Sequence, residues 1–221
     1  MAVTLDAFGT LLALRSPAPR LHGMLANEGH EHAPADVERA LGAEIEHYRL
    51  HHMRGRDAAS LGVLRRECAG VLGRALGDDV PSSARLTEML MASLRFDVAP
   101  DAVPALDALD RAGVPVGVVS NWDAALPEVL ERVAIRDRFA VVVTSAGAGS
   151  AKPHAGIFAR ALDAMSTAPG DALHCGDDPF ADAEGARRAG MRPVLLDRAG
   201  RHADRPGQDR IRSLAELAHR L

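Results

Sequence analysis

The chain has 221 residues, a formal net charge of −4 at pH 7 and 25% charged side chains. This balance excludes the basic surface that binding to nucleic acid or to an acidic membrane surface requires. No apolar run approaches the roughly 18 residues of a membrane span, and two cysteines, Cys68 and Cys175, are too few for a disulfide framework. With an amino terminus that lacks the pattern of a secretory signal, these features favour a cytoplasmic protein without nucleic-acid or membrane partners.

The first organised stretch is residues 3–12, VTLDAFGTLL. A short apolar run there predicts a buried strand that ends at Asp6, and Gly9 permits a sharp turn beyond it. A carboxylate at the tip of a buried strand is suited to act as a nucleophile. The same residue is also common as a helix cap or as a surface turn residue.

Residues 14–95 change to a helical pattern, with apolar side chains at spacings of three and four residues. We predict four amphipathic helices and no strand in this region, with Ser82 or Ser83 capping the fourth helix. Roughly 80 residues are too many for an ordinary connection between strands. The pattern therefore predicts an all-α domain of residues 14–96, inserted into a domain made of residues 1–13 and 97–221.

Several histidines lie in the predicted insertion, and His47 and His51 are four residues apart on one helix. This spacing allows a metal site, but no glutamate completes a metalloprotease pattern between them. Solvated helix faces or contacts to a substrate are the alternatives.

From residue 97 onward, strands and helices alternate. We predict that Asp101 caps a helix whose inner face is Val103, Leu106 and Leu109. The following pattern predicts strands at 114–119, 140–144, 172–176 and 193–196, and helices at about 124–133, 155–166 and 180–189 and from Ile211 onward. Such alternation indicates a doubly wound parallel sheet of the α/β class.

Polar residues follow the buried strands of this region. Ser120 and Asn121 end one strand, Lys152 opens a helical segment, and Asp177 follows another strand. Ligands bind at the carboxyl ends of parallel strands, so these residues and Asp6 are expected to form one site. Lys152 is also the only lysine among 26 basic residues. This suggests a position that needs a compact ammonium rather than a planar guanidinium.

The acidic stretch after the third of these strands is the most discriminating part of the sequence. Asp177, Asp178 and Asp182 lie within six residues, and their charges repel one another. A bound Mg²⁺ would relieve this repulsion, because it takes hard oxygen ligands from one or two carboxylates and a substrate phosphate. A solvated acidic turn that caps the following helix is the alternative.

The four motifs, in this order, resemble the haloacid dehalogenase-like (HAD) hydrolase superfamily, in its branch with a helical cap. The resemblance implies a Rossmann-like core, with residues 14–96 as the cap. It implies that Asp6 is the nucleophile, that Ser120 and the amides near Asn121 bind the phosphoryl oxygens, and that Lys152 balances the developing charge.

The resemblance also implies that Asp6, Asp177 and the backbone carbonyl of Phe8 hold Mg²⁺. Asp182 would lie further out or hold Lys152, and Asp178 would take either role. From its place directly after Ser120 and Asn121, we expect Trp122 to line the substrate pocket or to pack in the core.

Phe8, which we expect to contact the substrate, departs from the pattern of most phosphatases of this superfamily, which have a second aspartate there as general acid and base. A phenyl ring transfers no proton, so a contribution of about 10²- to 10⁴-fold is missing. We therefore expect a Mg²⁺-dependent phosphohydrolase, a monomer or homodimer, acting on a small phosphorylated metabolite with a good leaving group. A 2-haloacid dehalogenase, a class that resembles this chain in having an aromatic residue, a tyrosine, at this position, and a catalytically impaired binding or regulatory module are the alternatives.

Overall fold

The structure, a computed structural model, describes residues 1–202 and 209–221. The chain divides into two compact units, one made of Met1–Ala13 and Asp97–Leu221 and the other of Leu14–Phe96. Among the described residues, no helix combines the length and the apolar composition needed to cross a membrane.

The described residues contain eight strands. They are β1 (Ala2–Leu5), β2 (Leu12–Arg15), β3 (Arg95–Val98), β4 (Val116–Ser120), β5 (Val141–Thr144), β6 (Ala172–Gly176), β7 (Arg192–Leu196) and β8 (Arg210–Ile211). Six of them form one sheet in the order β5-β4-β1-β6-β7-β8, and every neighbouring pair is parallel. The predicted parallel α/β fold is therefore confirmed. Strands β2 and β3 form a separate two-stranded sheet, and the sequence did not predict them because four residues show too little alternation.

Strand β1 lies at the centre of the six-stranded sheet, between β4 and β6. Every residue of these three strands is buried, which explains their nearly continuous apolar sequences. The chain passes from β4 outward to β5 and then returns to β6 on the other side of β1. Such a reversal of strand order opens a crevice at the carboxyl ends of the strands.

The unit of Leu14–Phe96 contains four α-helices where the spacing of apolar residues predicted four: α1 (Pro17–Asn27), α2 (Pro34–His51), α3 (Ala58–Leu76) and α4 (Ser83–Ser93). Ser82 caps α4, as predicted, by accepting a hydrogen bond from the Arg85 amide. The helices share a core of buried leucines, which includes Leu21, Leu25, Leu64, Leu72 and Leu90. Their amphipathic pattern is thus explained by packing within this unit.

The helices of the other unit follow its strands in sequence. They are α5 (Ala102–Arg111), α6 (Leu126–Arg132), α7 (Ser145–Ala148), α8 (Ala155–Ala164) and α9 (Gly185–Arg188), and a π-helical turn (Pro179–Glu184) precedes α9. The helix predicted at 180–189 is therefore two short pieces. The last predicted helix is also wrong at its start, because Ile211 belongs to β8 and a 3-10 helix follows at Leu214–Arg220.

The predictions for α5 were wrong in two respects. Asp101 does not cap the helix with its side chain; its carboxylate instead accepts hydrogen bonds from Arg198, Ser213 and the Leu214 amide. Val103 is 40% exposed, whereas Leu106 and Leu109 are buried as predicted. The tertiary structure places the Arg198 guanidinium beside the Asp101 carboxylate, where it competes with the helix amides. The exposure of Val103 depends on which elements cover each face of α5, and helical spacing alone does not show this.

Candidate active site

Four segments of the α/β unit bring polar side chains to the carboxyl ends of β1, β4 and β6. Asp6 follows β1, Ser120 ends β4, Lys152 precedes α8, and Asp177 follows β6. The backbone amide of Asp6 donates to the carbonyl of Cys175 (2.9 Å), which continues the pairing of β1 with β6 up to the site. Because these parallel strands are neighbours, residues more than 100 positions apart in sequence meet at one edge of the sheet.

A buried ammonium between two carboxylates lies at the centre of this site. Lys152 Nζ donates to Asp6 Oδ1 at 2.6 Å and to Asp182 Oδ1 at 2.5 Å, and the side chains of all three residues are less than 10% exposed. Burial opposes the charge of Lys152, but Asp182 and Asp6 outweigh it and raise the pKa of this lysine above its usual value. The lysine is therefore a fixed cation at neutral pH.

The two carboxylates beside Lys152 differ in their surroundings. Burial is the main influence on Asp6 and, with the nearby charge of Asp182, raises the pKa of Asp6 above its ordinary value. Burial also acts on Asp182, but hydrogen bonds and charge from Lys152 and His174 prevail and hold the pKa of Asp182 well below its usual range. Asp182 is thus the stable counter-charge, while Asp6 is the carboxylate whose charge is less well satisfied.

Ser120 and Asn121 support the same cluster in different ways. The Ser120 hydroxyl donates to Asp6 Oδ1 at 2.9 Å. The Asn121 side chain instead binds the backbone of Lys152: its Nδ2 donates to the Lys152 carbonyl (3.0 Å), and its Oδ1 accepts from the Lys152 amide (2.7 Å). Asn121 therefore fixes the segment that carries the lysine, and its role in substrate binding stays a prediction.

The acidic stretch contributes one further carboxylate to the cluster. Asp6, Asp177 and Asp182 each offer an oxygen, and these three oxygens lie within 4.8 Å of one another. Burial, followed by the charges of Asp6 and Asp182, raises the pKa of Asp177 to about 6. Hard oxygen donors with mutually repelling charges suit Mg²⁺, which would oppose the raised pKa values of Asp6 and Asp177. The residues present therefore fit such an ion.

Asp178 and Asp182 use much of their hydrogen-bonding capacity within the protein. Asp178 Oδ1 accepts from the amides of Phe180 and Ala181 at 2.7 and 2.8 Å, which makes it the cap of the π-helical turn. Asp182 Oδ2 accepts from the Asp178 amide at 2.9 Å, while its Oδ1 binds Lys152. These contacts favour supporting roles for both residues over direct binding of a cation.

Two glycines allow the carboxylates to approach the backbone. Gly9 has a φ of +85°, and a Cβ built there would overlap the Asp177 carboxylate. A Cβ on Gly176 would likewise overlap Asp182. Side chains at either position would push apart the segments that carry the site.

The two aromatic residues predicted near the substrate differ in exposure. The Phe8 side chain is exposed at 44% of its surface, next to the turn at Gly9. Trp122 is only 8% exposed, and its backbone exchanges hydrogen bonds of 3.1 Å with the Ser145 hydroxyl. No contact described for either residue tests its role in substrate binding, which stays a prediction.

The sequence reading missed two residues that touch this machinery. His174 lies within β6 and contacts Asp182 Oδ1 through Nε2 at 3.1 Å. Arg198 donates to the carbonyls of Gly9 (2.7 Å) and Thr10 (2.9 Å), and so holds the turn after Asp6. A histidine in an otherwise apolar buried strand was a visible signal, whereas Arg198 is one of many arginines and nothing in its sequence context marks it.

Comparison with known proteins agrees with this fold. A model of the haloacid dehalogenase-like hydrolase family matches residues 1–190. Haloacid dehalogenase-like hydrolase domain-containing protein 3 of Xenopus laevis is 38% identical over 120 residues, which are 54% of this chain and 49% of that protein. Phosphoserine phosphatase of Thermus thermophilus is 34% identical over 111 residues, 50% of this chain and 45% of that protein. The chain spans about half the length of both of these curated relatives.

A solved structure shares this fold. L-2-haloacid dehalogenase of Xanthobacter autotrophicus gives a TM-score of 0.72 at 22% identity and covers 99% of this chain and 96% of that one. The fold and the family match together define a Rossmann-like hydrolase. The chain belongs to the haloacid dehalogenase-like hydrolase family.

The geometry around Lys152 predicts a large loss of stability in Lys152→Met. Removing the ammonium leaves Asp6 and Asp182 buried without their shared cation, which should cost about 3–5 kcal/mol at pH 8. The loss should shrink as the pH falls towards 5, because one of the two carboxylates then takes up a proton. Guanidinium denaturation in EDTA at both pH values measures this.

Arg160→Met is the matched control, because it removes one positive charge from an exposed position on α8. It should change the free energy of unfolding by no more than about 0.5 kcal/mol. Native stability of Lys152→Met at pH 8 would contradict the central place of this ammonium.

Proposed function

We propose that this protein is a Mg²⁺-dependent phosphohydrolase that forms an aspartyl-phosphate on Asp6. The observation that carries the proposal is the buried group of Asp6, Ser120 and Lys152, with Asp177 close enough to share a cation with Asp6. The similarity to a protein named phosphoserine phosphatase supports phosphoryl chemistry. The substrate in this proposal is a small phosphorylated metabolite, and a cytoplasmic monomer or homodimer is what we expect of the protein.

The hydrogen bonds of Asp6 indicate which oxygen attacks. Ser120 and Lys152 both donate to Oδ1 of Asp6, so we assign the attack on phosphorus to Oδ2. The bond from phosphorus to the leaving oxygen breaks as the bond from Oδ2 forms, and water later cleaves the aspartyl-phosphate. Covalent catalysis of this kind divides one difficult displacement into two easier steps.

Lys152 and Ser120 supply fixed positive charge and a hydroxyl donor beside the reacting carboxylate. The phosphoryl group carries charge on its oxygens in the transition state, and prepositioned donors stabilise that charge without reorganising. Asp182 holds the ammonium in place from its other side, at 2.5 Å. Asn121, which binds the backbone of Lys152, fixes the same segment.

Asp6 and Asp177, with the backbone carbonyl of Phe8, are the groups that would hold Mg²⁺, and Asp178 and Asp182 would support them. When bound, the ion neutralises charge on the phosphoryl oxygens and on the carboxylates around it. Burial, followed by the charges of Asp6 and Asp182, raises the pKa of Asp177 to about 6, and a bound cation would favour the ionised form of this carboxylate.

Phe8 narrows the range of substrates. Without a carboxylic acid at this position, no side chain there protonates a departing alkoxide. We infer a preference for leaving groups that depart as stable anions, such as the acyl, aryl or pyrophosphate-like parts of a phosphorylated substrate. By this preference for stable leaving groups, the protein would differ from a phosphatase that acts on simple alkyl phosphates.

A 2-haloacid dehalogenase is the second candidate, because the fold is shared with such an enzyme and position 8 is aromatic. The acidic cluster argues against it, because three carboxylates within reach of one another oppose the departure of a halide. An impaired binding module is the third candidate, since Phe8 is a substitution that such a protein would tolerate.

The primary test is release of phosphate from acetyl phosphate and p-nitrophenyl phosphate, with Mg²⁺ and with EDTA. We expect Mg²⁺-dependent release, and a loss of at least about a thousandfold in Asp6→Asn, because the nucleophile is removed. Asp163→Asn, an exposed position on α8, is the control and should retain native activity. Absence of release from the native chain would favour the impaired module, and chloride release from 2-chloropropionate would favour the dehalogenase.

A second prediction concerns Mg²⁺ binding without turnover. Mg²⁺ should raise the Tm of the native chain, as any ligand of the folded state does, and Asp177→Asn should abolish this rise. In EDTA at pH 8, Asp177→Asn should itself be more stable than the native chain by about 1–2 kcal/mol, because it removes a carboxylate whose ionisation the fold opposes.

The advantage of Asp177→Asn should shrink as the pH falls below about 6, because folded Asp177 then takes up a proton while the unfolded chain stays ionised, and it should be largely lost at pH 4, close to the ordinary carboxyl pKa of 3.8. Thermal melting at the two pH values measures the effect. If Mg²⁺ stabilises the variant as much as the native chain, Asp177 is not a ligand.

A third prediction concerns the missing acid. Phe8→Asp should raise the turnover of alkyl phosphates at least about tenfold, because it supplies a proton donor to the leaving oxygen. Phe8→Asn is the matched control, which has a similar size but transfers no proton and should show no such gain. A correctly folded Phe8→Asp with unchanged or lower turnover would count against the proposed substrate preference.

A further inference from the structure

A chain of buried polar side chains runs beneath the site, from Thr4 in β1 to Lys152. Thr4 Oγ1 lies 2.8 Å from His174 Nδ1, and His174 Nε2 lies 3.1 Å from Asp182 Oδ1. Asp182 Oδ1 in turn accepts from Lys152 Nζ, which also binds Asp6. Thr4 and His174 are completely buried, and neither was among the residues predicted to form the site.

The chemistry of the groups sets the direction of these hydrogen bonds. An ionised Asp182 only accepts, so His174 Nε2 must carry a hydrogen and donate it. Burial is the main influence on His174 and lowers its pKa, which keeps the ring neutral and leaves Nδ1 without a hydrogen. Nδ1 then accepts from the Thr4 hydroxyl. The donors therefore all point the same way, from Thr4 to His174 and from His174 to Asp182.

We propose that His174 is a positioning residue that holds the Asp182 carboxylate, and through it the Lys152 ammonium, in the orientation that the reaction on Asp6 requires. Its effect on rate rests on the proposed function, whereas its effect on the lysine does not. The ring transfers no proton to substrate. It supplies one hydrogen bond from beneath the sheet edge.

The cost of this histidine argues for such a role. A polar side chain in a buried strand loses its hydration, and that loss is recovered only if its hydrogen-bonding groups are satisfied. An apolar side chain would serve packing alone at this position, as Leu173 and Cys175 do on either side. The Phe158 ring packs against the imidazole in a T-shaped arrangement with centroids 4.9 Å apart, and this contact is apolar.

Asp182 shows what the histidine adds. Its Oδ2 is fixed by the Asp178 amide at 2.9 Å, and its Oδ1 by Lys152 and His174. Without His174, only the Lys152 ammonium restrains Oδ1, and the carboxylate gains freedom to rotate about its last bond. The lysine then no longer has one defined position beside Asp6. Residues that orient a group contacting the reacting centre commonly contribute 10- to 100-fold to activity.

Steady-state kinetics with acetyl phosphate test the effect on rate. His174→Leu, which fills the space but donates nothing, should lower kcat about 10- to 100-fold and change KM less than about threefold. His174→Gln, whose amide nitrogen reaches the place of Nε2, should return kcat to within about fivefold of the native value. Phe158→Leu is the control: it loosens the packing around the ring, leaves the hydrogen bonds and should keep native kcat despite a lower Tm.

A second measurement reports on Lys152 without any turnover. Because Lys152 is the only lysine of the chain, protein labelled with ¹⁵N-lysine has a single side-chain ammonium resonance. In the native chain this resonance should be observable at pH 7, because a buried, doubly hydrogen-bonded ammonium exchanges its hydrogens slowly. It should broaden or vanish in His174→Leu and persist in His174→Gln and Phe158→Leu.

The two measurements separate the possible failures. A native chain that releases no phosphate would contradict the proposed function, and the ammonium resonance of the variants would still decide the role of His174. Native kcat and a native resonance in His174→Leu would overturn the inference. It would equally be overturned if His174→Gln failed to restore either readout, or if Phe158→Leu lost kcat to the same extent, because His174 would then serve packing alone.

Discussion

The ion pair of Lys152 with Asp6 and Asp182 is the interaction on which the site depends. One ammonium satisfies two carboxylates that are both buried, at 2.6 and 2.5 Å. If the ammonium were absent, the fold would have to keep two like charges together away from water, which is strongly unfavourable. A guanidinium brings a planar fork in place of a compact charge, which agrees with the use of lysine here in a chain that otherwise uses arginine.

The sheet topology makes this meeting of charges possible. With β1 between β4 and β6, the residues that follow these strands are neighbours, and Gly9 and Gly176 leave room for the carboxylates of Asp177 and Asp182. The result is a region in which charge is concentrated at the expense of stability. The pKa of Asp177, raised to about 6 by burial and neighbouring charges, shows this tension in the protein without a cation. Catalytic sites commonly accept such strain because the same charges act on the substrate.

The site contains the groups that stabilise charge but has no proton donor at position 8, and the chemistry of the proposed reaction follows from this difference. The groups that handle charge are all present, since Asp6, Lys152, Ser120 and Asp177 lie together, but the position of the usual proton donor is taken by Phe8. Electrostatic stabilisation and covalent catalysis do not require that donor, whereas departure of a poor leaving group does. The side chain of Phe8 is exposed at 44% of its surface, so substitution there changes chemistry with little effect on the core.

The strands that carry the polar cluster, the helical region between residues 14 and 96 and the polar residues at the strand ends could be predicted from the sequence, because buried parallel strands are apolar and polar residues at their ends stand out. The hydrogen-bond partners of these residues follow from the tertiary structure. Asp101 binds Arg198 and Ser213 instead of its own helix, Asn121 holds the backbone of Lys152, and His174 reaches Asp182 through the interior. Local periodicity fixes which residues are buried, but hydrogen-bond partners distant in sequence depend on strand order and register, which a single sequence does not contain.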